Sequence, residues 1–238
     1  MKSIKNLSTL SIPFFFLMAN APTVHAVSSF GSSSTLTYAI NSIVNMDNPG
    51  DLSGLTINGI FELDDSQTYT EYTGNGTSSI SHSGWYYGPV EGNVFSKTFS
   101  LSGSVGNGDV TSNYLFFFDL EFINGSNDRF EIDVDFAYSL SVNTIGEEVF
   151  NEIYLDYGEL LTNQYFFEEI SSFETGGDQL TGSHKFLFTL GAFEEQLILA
   201  DVNHFGTVSA VPVPAAIWLF GSALFGLVAN GLRKRANC

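Results

Sequence analysis

The chain is short of cysteine and of positive charge. Its single cysteine, Cys238, is the last residue, so no disulfide can form within one copy. Eight Lys and Arg residues stand against 26 Asp and Glu residues, a formal net charge of −18. The acidic residues all lie between positions 27 and 210, where the only cations are Lys97, Arg129 and Lys185. Because such a surface repels phosphate groups, nucleic acid is excluded as a partner.

The sequence also lacks the signatures of common catalytic centres. The histidines that follow residue 26, His82, His184 and His204, show neither His-x-His nor His-Glu-x-x-His spacing, which argues against a zinc or copper site. There is no Gly-x-Ser-x-Gly elbow and no glycine loop with a lysine for phosphate binding. A Ser-His-Asp triad remains open, because its members come from anywhere in a chain. We expect a protein that is not an enzyme.

Helical periodicity is nearly absent, and apolar residues instead alternate with polar ones between turn residues, as in antiparallel strands. The clearest case is residues 130–142, with Phe130, Ile132 and Val134 beginning the predicted core face. Residues 114–122, in which Asp119 and Glu121 are predicted to face away from a phenylalanine-rich side, are its predicted hairpin partner, across a turn that contains Asn-Gly. The other predicted strands are 36–40, 55–63, 69–72, 94–105, 149–157, 164–167, 185–190 and 196–200.

These strands predict an all-β domain over residues 27–208, a single antiparallel sandwich of jelly-roll type with a core rich in phenylalanine. Residues 27–35 are small and polar and are predicted to lead into the fold. Residues 74–92 are predicted to form a long loop. Residues 147–161 could instead form an amphipathic helix, since so short a segment is ambiguous.

Residues 1–26 have the features of a secretory signal peptide. Lys2 and Lys5 are followed by the short apolar run 12–19, and Val24-His25-Ala26 offers a cleavage site before Val27. The secretion translocon is therefore an expected partner. An uncleaved membrane anchor is the alternative.

Residues 209–238 are predicted to anchor the chain in a membrane. Residues 215–232 contain no charge and are long enough to span a bilayer as a helix. Two prolines precede the helix, Trp218 suits the membrane interface, and the cations that follow mark the cytoplasmic side. The residues that define this segment are Val211, Pro212, Val213, Pro214, Trp218, Arg233, Lys234 and Arg235.

This C-terminal segment resembles a PEP-CTERM sorting signal of the type that opens VPxPAAxWLFGS. It departs from the Pro-Glu-Pro of many members, because this chain has Pro212-Val213-Pro214. The resemblance implies a Gram-negative bacterium that makes exopolysaccharide, and an exosortase-type enzyme that processes the tail near the prolines. It implies an inner-membrane intermediate with a cytoplasmic C-terminus, and then the cell surface or extracellular matrix.

Three groups of residues are candidates for binding or chemistry in the middle of the chain. Trp85, Tyr86 and Tyr87 lie between glycines and could stack on sugar rings, although core packing is the simpler interpretation. The alternating carboxylates Glu131, Asp133 and Asp135 have a spacing usable for sugar hydrolysis, although a solvated stripe is more common. Turn residues could supply oxygen ligands to calcium, the one cofactor left open; they are Asp47, Asp51, Asn124, Asn127 and Asp128.

Together these features predict an exported, exosortase-processed protein of the cell surface or the biofilm matrix, associated with exopolysaccharide and without enzymatic activity. The first alternative is a carbohydrate-binding module that uses the loop aromatics. The second is a secreted polysaccharide hydrolase that uses the carboxylates.

Overall fold

The structure is a computed structural model that describes residues 27–83 and 92–210, and these residues are built from strands and turns. The predicted all-β class is confirmed for this part of the chain. In chain order the strands are β1 (Ser28–Asn45), β2 (Leu55–Leu63), β3 (Tyr69–Tyr72), β4 (Thr77–Ser83), β5 (Val94–Val105), β6 (Asp109–Asn124), β7 (Phe130–Ile145), β8 (Val149–Glu159), β9 (Gln164–Phe173), β10 (Gly176–Leu190) and β11 (Glu195–Ser209).

Residues 27–83 and 92–210 hold no helix of the length and apolar character needed to cross a lipid bilayer. The predicted signal peptide, residues 1–26, and the predicted transmembrane helix, residues 215–232, lie outside the described residues.

The strands form two antiparallel sheets. Sheet 1 has the order β10-β7-β1-β5-β4. Sheet 2 has the order β2-β6-β11-β8-β9, and β3 pairs with the first part of β6 beyond the end of β2. The sheets pack in a sandwich-like arrangement, because buried and accessible side chains alternate along most strands and the buried ones meet between the sheets.

Aromatic side chains fill much of the space between the sheets. Tyr38 of β1 donates a hydrogen bond of 3.0 Å to the carbonyl oxygen of Phe118 in β6, and their ring centroids lie 5.2 Å apart. Phe99 of β5 stacks on Phe116 of β6 at 4.6 Å. Burying such side chains supplies the main driving force for folding, at about 25 cal/mol for each Å² of apolar surface removed from water.

The alternation predicted for residues 130–142 is confirmed, but the predicted partner is wrong. β7 pairs with β1 and β10 in sheet 1, whereas β6 pairs with β11, β2 and β3 in sheet 2. The turn between β6 and β7 carries the chain from one sheet to the other, so their apolar faces pack across the core. Asn124 fixes this crossing, since its Nδ2 donates to the carbonyl oxygens of Asp128 and Gly191.

Three further predictions need correction. Residues 28–35 belong to β1 rather than to a leader, because their small side chains fit where the sheets approach closely; Ser28, Ser32 and Ser34 are all buried. The helical alternative for residues 147–161 is wrong, since β8 occupies most of that segment between β11 and β9. The predicted loop 74–92 contains β4, and residues 84–91 lie outside the described part.

On the outer face of sheet 1, the strands β1, β5 and β4 carry mostly short hydroxyl side chains. Its neighbouring strands place Thr35 against Thr98, at 2.9 Å between hydroxyl oxygens, and Ser79 against Ser102, at 3.0 Å. The strands β1 and β4 contain no Asp, Glu, Lys or Arg. The outer face of sheet 2 has a very different character and holds the candidate site.

Candidate functional site

Two groups of predicted site residues lie outside the described residues. The first is the loop aromatics Trp85, Tyr86 and Tyr87. The second is the sorting segment that begins at Val211.

The carboxylates predicted on the solvent side of β7 do face outwards, on the outer face of sheet 1. Asp133 is held there by a salt bridge of 2.7 Å from Lys185 Nζ, and Asn41 Nδ2 also donates to it at 3.3 Å. Glu131 and Asp135 are exposed beside it on the same strand. The ion pair gives Asp133 a structural partner.

The calcium candidates Asp47, Asp51 and Asp128 each have a local hydrogen-bonding role. Asp47 accepts hydrogen bonds from the guanidinium of Arg129, at 2.8 Å and 3.1 Å, and these lower the pKa of Asp47. Asp51 caps its own turn by accepting from the backbone amide of Ser53 at 2.9 Å. Asp128 accepts from Asn45 Nδ2 at 2.8 Å.

Nowhere in residues 27–83 and 92–210 do three or more His, Cys, Asp or Glu side chains form a group that could hold a metal ion.

His204 is fully buried and lies between two serine hydroxyls. Ser32 Oγ is 2.9 Å from Nδ1 and Ser34 Oγ is 2.8 Å from Nε2. Burial lowers the pKa of His204 to about 3, so the imidazole is neutral at physiological pH. Ser34 is also fully buried, out of reach of a substrate. We interpret this arrangement as a polar bridge that joins β1 of sheet 1 to β11 of sheet 2.

One row of side chains crosses sheet 2 from edge to edge on its outer face. The strand registers place Asp201 of β11 directly between Phe117 of β6 and Asp156 of β8. They extend the row to Glu62 of β2 on one side and to Phe167 of β9 on the other. Neighbouring strands lie about 4.8 Å apart, so the five residues span about 19 Å. We call this set the acid–aromatic row.

The carboxylates at the centre of the row crowd each other. Asp156 and Asp201 are directly opposite on neighbouring strands, where like charges are unfavourable. Burial, and then the charge of Asp156, raise the pKa of Asp201 to about 6. Burial also raises the pKa of Asp156.

Asp119 of β6 lies beside the row and is only 8 % exposed. Its Oδ1 accepts a hydrogen bond of 3.1 Å from the backbone amide of Ala200, where the pairing of β6 with β11 is interrupted. Burial is the main cause that raises the pKa of Asp119 to about 7, and the charges of Asp201 and Glu62 add to it. The surroundings of Asp119 therefore disfavour the charged form of its carboxyl group.

No lysine or arginine occurs in any strand of sheet 2. Among the residues that the structure describes, Asp201 Oδ1 and Asn203 Oδ1 are buried oxygen atoms without a hydrogen-bond donor. Such acceptors are costly unless a donor reaches them. The outer face of sheet 2 therefore has negative charges without a lysine or arginine on its own strands to neutralise them, and it has acceptor oxygens without donors among the described residues.

Exposed aromatic rings flank the carboxylates on the side of β9. Phe167 is 54 % exposed, and its ring centroid lies 5.7 Å from that of Tyr154 in β8. Tyr165 and Phe173 are exposed on the same side of β9. Aromatic rings offer flat apolar area for stacking, whereas carboxylates bind cations and accept hydrogen bonds from hydroxyl or amino groups.

Sequence reasoning did not find this row. The alternation in residues 114–122 predicted that Asp119 and Glu121 face away from the phenylalanine core, and this is correct. The alternation does not reveal which strands pair or in which register, and these are what bring the side chains of β6, β11, β8 and β9 into one row. No protein-family model and no curated protein matches the chain.

Proposed function

We propose that this protein is exported, processed by an exosortase-type enzyme and retained at the cell surface or in the extracellular matrix, where it associates with exopolysaccharide as a non-enzymatic component. An N-terminal secretory signal, an acidic β domain and a PEP-CTERM-like tail in that order support the proposal. The tail would hold the chain in the inner membrane with its C-terminus in the cytoplasm until processing.

One geometric observation carries the proposal further: β1 begins and β11 finishes at the same end of the sandwich. Ser28, the first residue of β1, pairs with Val105 at the end of β5, and Ser209, the last residue of β11, pairs with Asp109 at the start of β6. A short turn joins Val105 to Asp109, so both ends of the domain lie beside it. Phe30 and Val208 share one buried cluster at that end. A domain tethered there keeps the outer faces of both sheets open to a surrounding polymer.

Stability outside the cytoplasm would rest on the core and not on disulfides, since residues 27–210 contain no cysteine. We also propose that the sandwich is of the jelly-roll type.

Removing residues 211–238 tests the proposed function. In a host that has the sorting enzyme, the full chain should be found in the surface and matrix fractions, whereas the truncated chain should be released to the periplasm or medium. A charge-neutral control, Arg233→Gln with Lys234→Gln and Arg235→Gln, keeps the apolar segment and removes the cationic end. An identical distribution of the full and truncated chains would refute the proposal.

Polysaccharide hydrolysis is a second candidate, favoured by one observation. Asp119, Asp156 and Asp201 lie on the same face of sheet 2, and burial raises the pKa of each, which is what a carboxyl group needs in order to act as a general acid. Release of reducing ends from a panel of polysaccharides, abolished by Asp201→Asn, would establish this activity. Binding without turnover would favour the non-enzymatic function.

A further inference from the structure

We propose that the acid–aromatic row on the outer face of sheet 2 binds a linear polysaccharide of amino sugars whose amino groups are protonated. This inference rests on the proposed association with exopolysaccharide and names the chemical class of the polymer. It uses residues that lie far apart in the sequence and meet only through the strand pairing.

The charge of the face selects a cationic partner. Asp201 and Asp156 face each other, Glu62 lies at one end of the row, and the strands of sheet 2 offer no lysine or arginine to balance them. An ammonium group placed above the pair would replace repulsion between two carboxylates by attraction to both. Hydrogen bonds between ammonium and carboxylate groups are about twice as strong as those between neutral groups.

Buried acceptors give a second reason to place donors here. Asp119 is 8 % exposed and, among the described residues, has one hydrogen bond, from Ala200 to Oδ1. Asp201 Oδ1 and Asn203 Oδ1 have no donor in the described part of the chain. Amino and hydroxyl groups of a sugar are donors that could satisfy the oxygens of this face when the side chains adjust to a ligand.

The aromatic residues point to a sugar and not to a simple cation. Phe117 and Phe167 flank the two central carboxylates, and Tyr154 packs against Phe167. The apolar face of a pyranose ring can stack on such side chains while its substituents reach the carboxylates. The row crosses five strands over about 19 Å, so it presents several contacts to an extended chain and not a pocket for one residue.

The experiment measures binding of a glucosamine hexamer to the purified full chain in a mild non-ionic detergent, by calorimetry at pH 6 and low ionic strength. Two matched ligands accompany it: the fully N-acetylated hexamer, which has no charge, and hexalysine, which has charge without sugar rings. We expect the glucosamine hexamer to bind most tightly. Its affinity should fall steeply with added salt, because exposed charges are screened over about 10 Å at 0.1 M.

Two variants and two matched controls locate the site. Asp156→Asn with Asp201→Asn should weaken binding by about tenfold or more, since it removes the charge and retains the shape. Phe167→Ala should weaken binding by a similar factor through lost stacking. The matched controls Asp135→Asn and Leu187→Ala change an exposed acid and an exposed apolar side chain on sheet 1, and they should leave the affinity unchanged. Circular dichroism confirms that each variant is folded.

Each remaining outcome overturns the inference in a distinct way. Equal affinity for the N-acetylated hexamer would mean that charge does not select the ligand. Hexalysine that binds as tightly as the glucosamine hexamer would point to a basic protein segment as partner. Equal losses in the sheet 1 controls would move the site elsewhere, and no binding at all would reject it. None of these results alters the outcome of the localisation experiment, so failure of the inference remains distinguishable from failure of the proposed function.

Discussion

Replacing Asp119 by asparagine should make the protein more stable at pH 8 and change little at pH 4. Asp119 lies almost completely buried on β6, where its surroundings raise its pKa from an ordinary value of 3.8 to about 7. The amide oxygen of an asparagine side chain could still accept the hydrogen bond that the backbone amide of Ala200 donates to Oδ1. The substitution therefore removes the charge and leaves the local geometry in place.

The sign of the effect follows from proton binding. Between pH 4 and pH 7 the folded protein holds a proton on Asp119 that the unfolded chain has lost, so the free energy of unfolding falls as the pH rises. One pH unit of pKa difference corresponds to about 1.36 kcal/mol. A pKa of about 7 instead of 3.8 thus gives a cost of about 4 kcal/mol once the carboxylate is fully charged. The asparagine variant does not have this cost.

Urea denaturation followed by far-UV circular dichroism, at a series of pH values between 4 and 8, measures the difference. The free energy of unfolding of Asp119→Asn minus that of the wild type should grow by about 2–4 kcal/mol across this range. Asp135→Asn, an exposed substitution on sheet 1, is the control and should show no comparable trend. A difference that does not change with pH, or an asparagine variant that is less stable at pH 8, would refute the reasoning. A stabilising substitution at this position would fit a site that gives up stability for ligand binding.

Three other substitutions test the packing. His204→Phe leaves the hydroxyls of Ser32 and Ser34 without partners and should lower the free energy of unfolding by about 1–3 kcal/mol for each hydroxyl at pH 8. This loss should shrink towards pH 3, because burial lowers the pKa of His204 and the wild type therefore loses stability as the pH falls from about 6.5. Acid titration of both proteins would show the difference. Gly103→Ala should cost about 1–3 kcal/mol in urea denaturation, since the new Cβ would overlap the ring of Phe30, and adding Phe30→Leu should recover part of the loss. Gly108→Ala should lower the melting temperature, because Gly108 has a φ of +100° and a Cβ there would meet the carbonyl oxygen of Thr73; equal melting temperatures would contradict this.

The strands were predictable where the alternation of side chains is local. Residues 130–142 have apolar side chains at every second position over a long stretch, and all of them lie within β7 with the predicted face buried. Residues 27–35 misled the prediction because serine is common in loops. Here Ser28, Ser32 and Ser34 are buried in a strand, where a small side chain is needed near the contact between the sheets.

The pairing of strands was not predictable from the same pattern. β6 and β7 are consecutive and have complementary apolar faces, which favours a hairpin on local grounds alone. In the structure they lie in different sheets, because each finds its neighbours among strands that come much earlier or later in the chain. Burying the apolar faces of both sheets against each other decides the arrangement, and no local pattern encodes that choice.

The amino-acid sequence by itself determined that the middle of the chain is an acidic, cysteine-free set of alternating strands, and it determined which side of most strands avoids water. These are local properties, since successive side chains of a strand point to opposite faces. Only the tertiary structure decided that Asp201 stands between Phe117 and Asp156, because a shift of one residue in register would turn each strand's outer side chains towards the core. The acid–aromatic row is therefore a product of strand register, which the packing of the whole sandwich fixes.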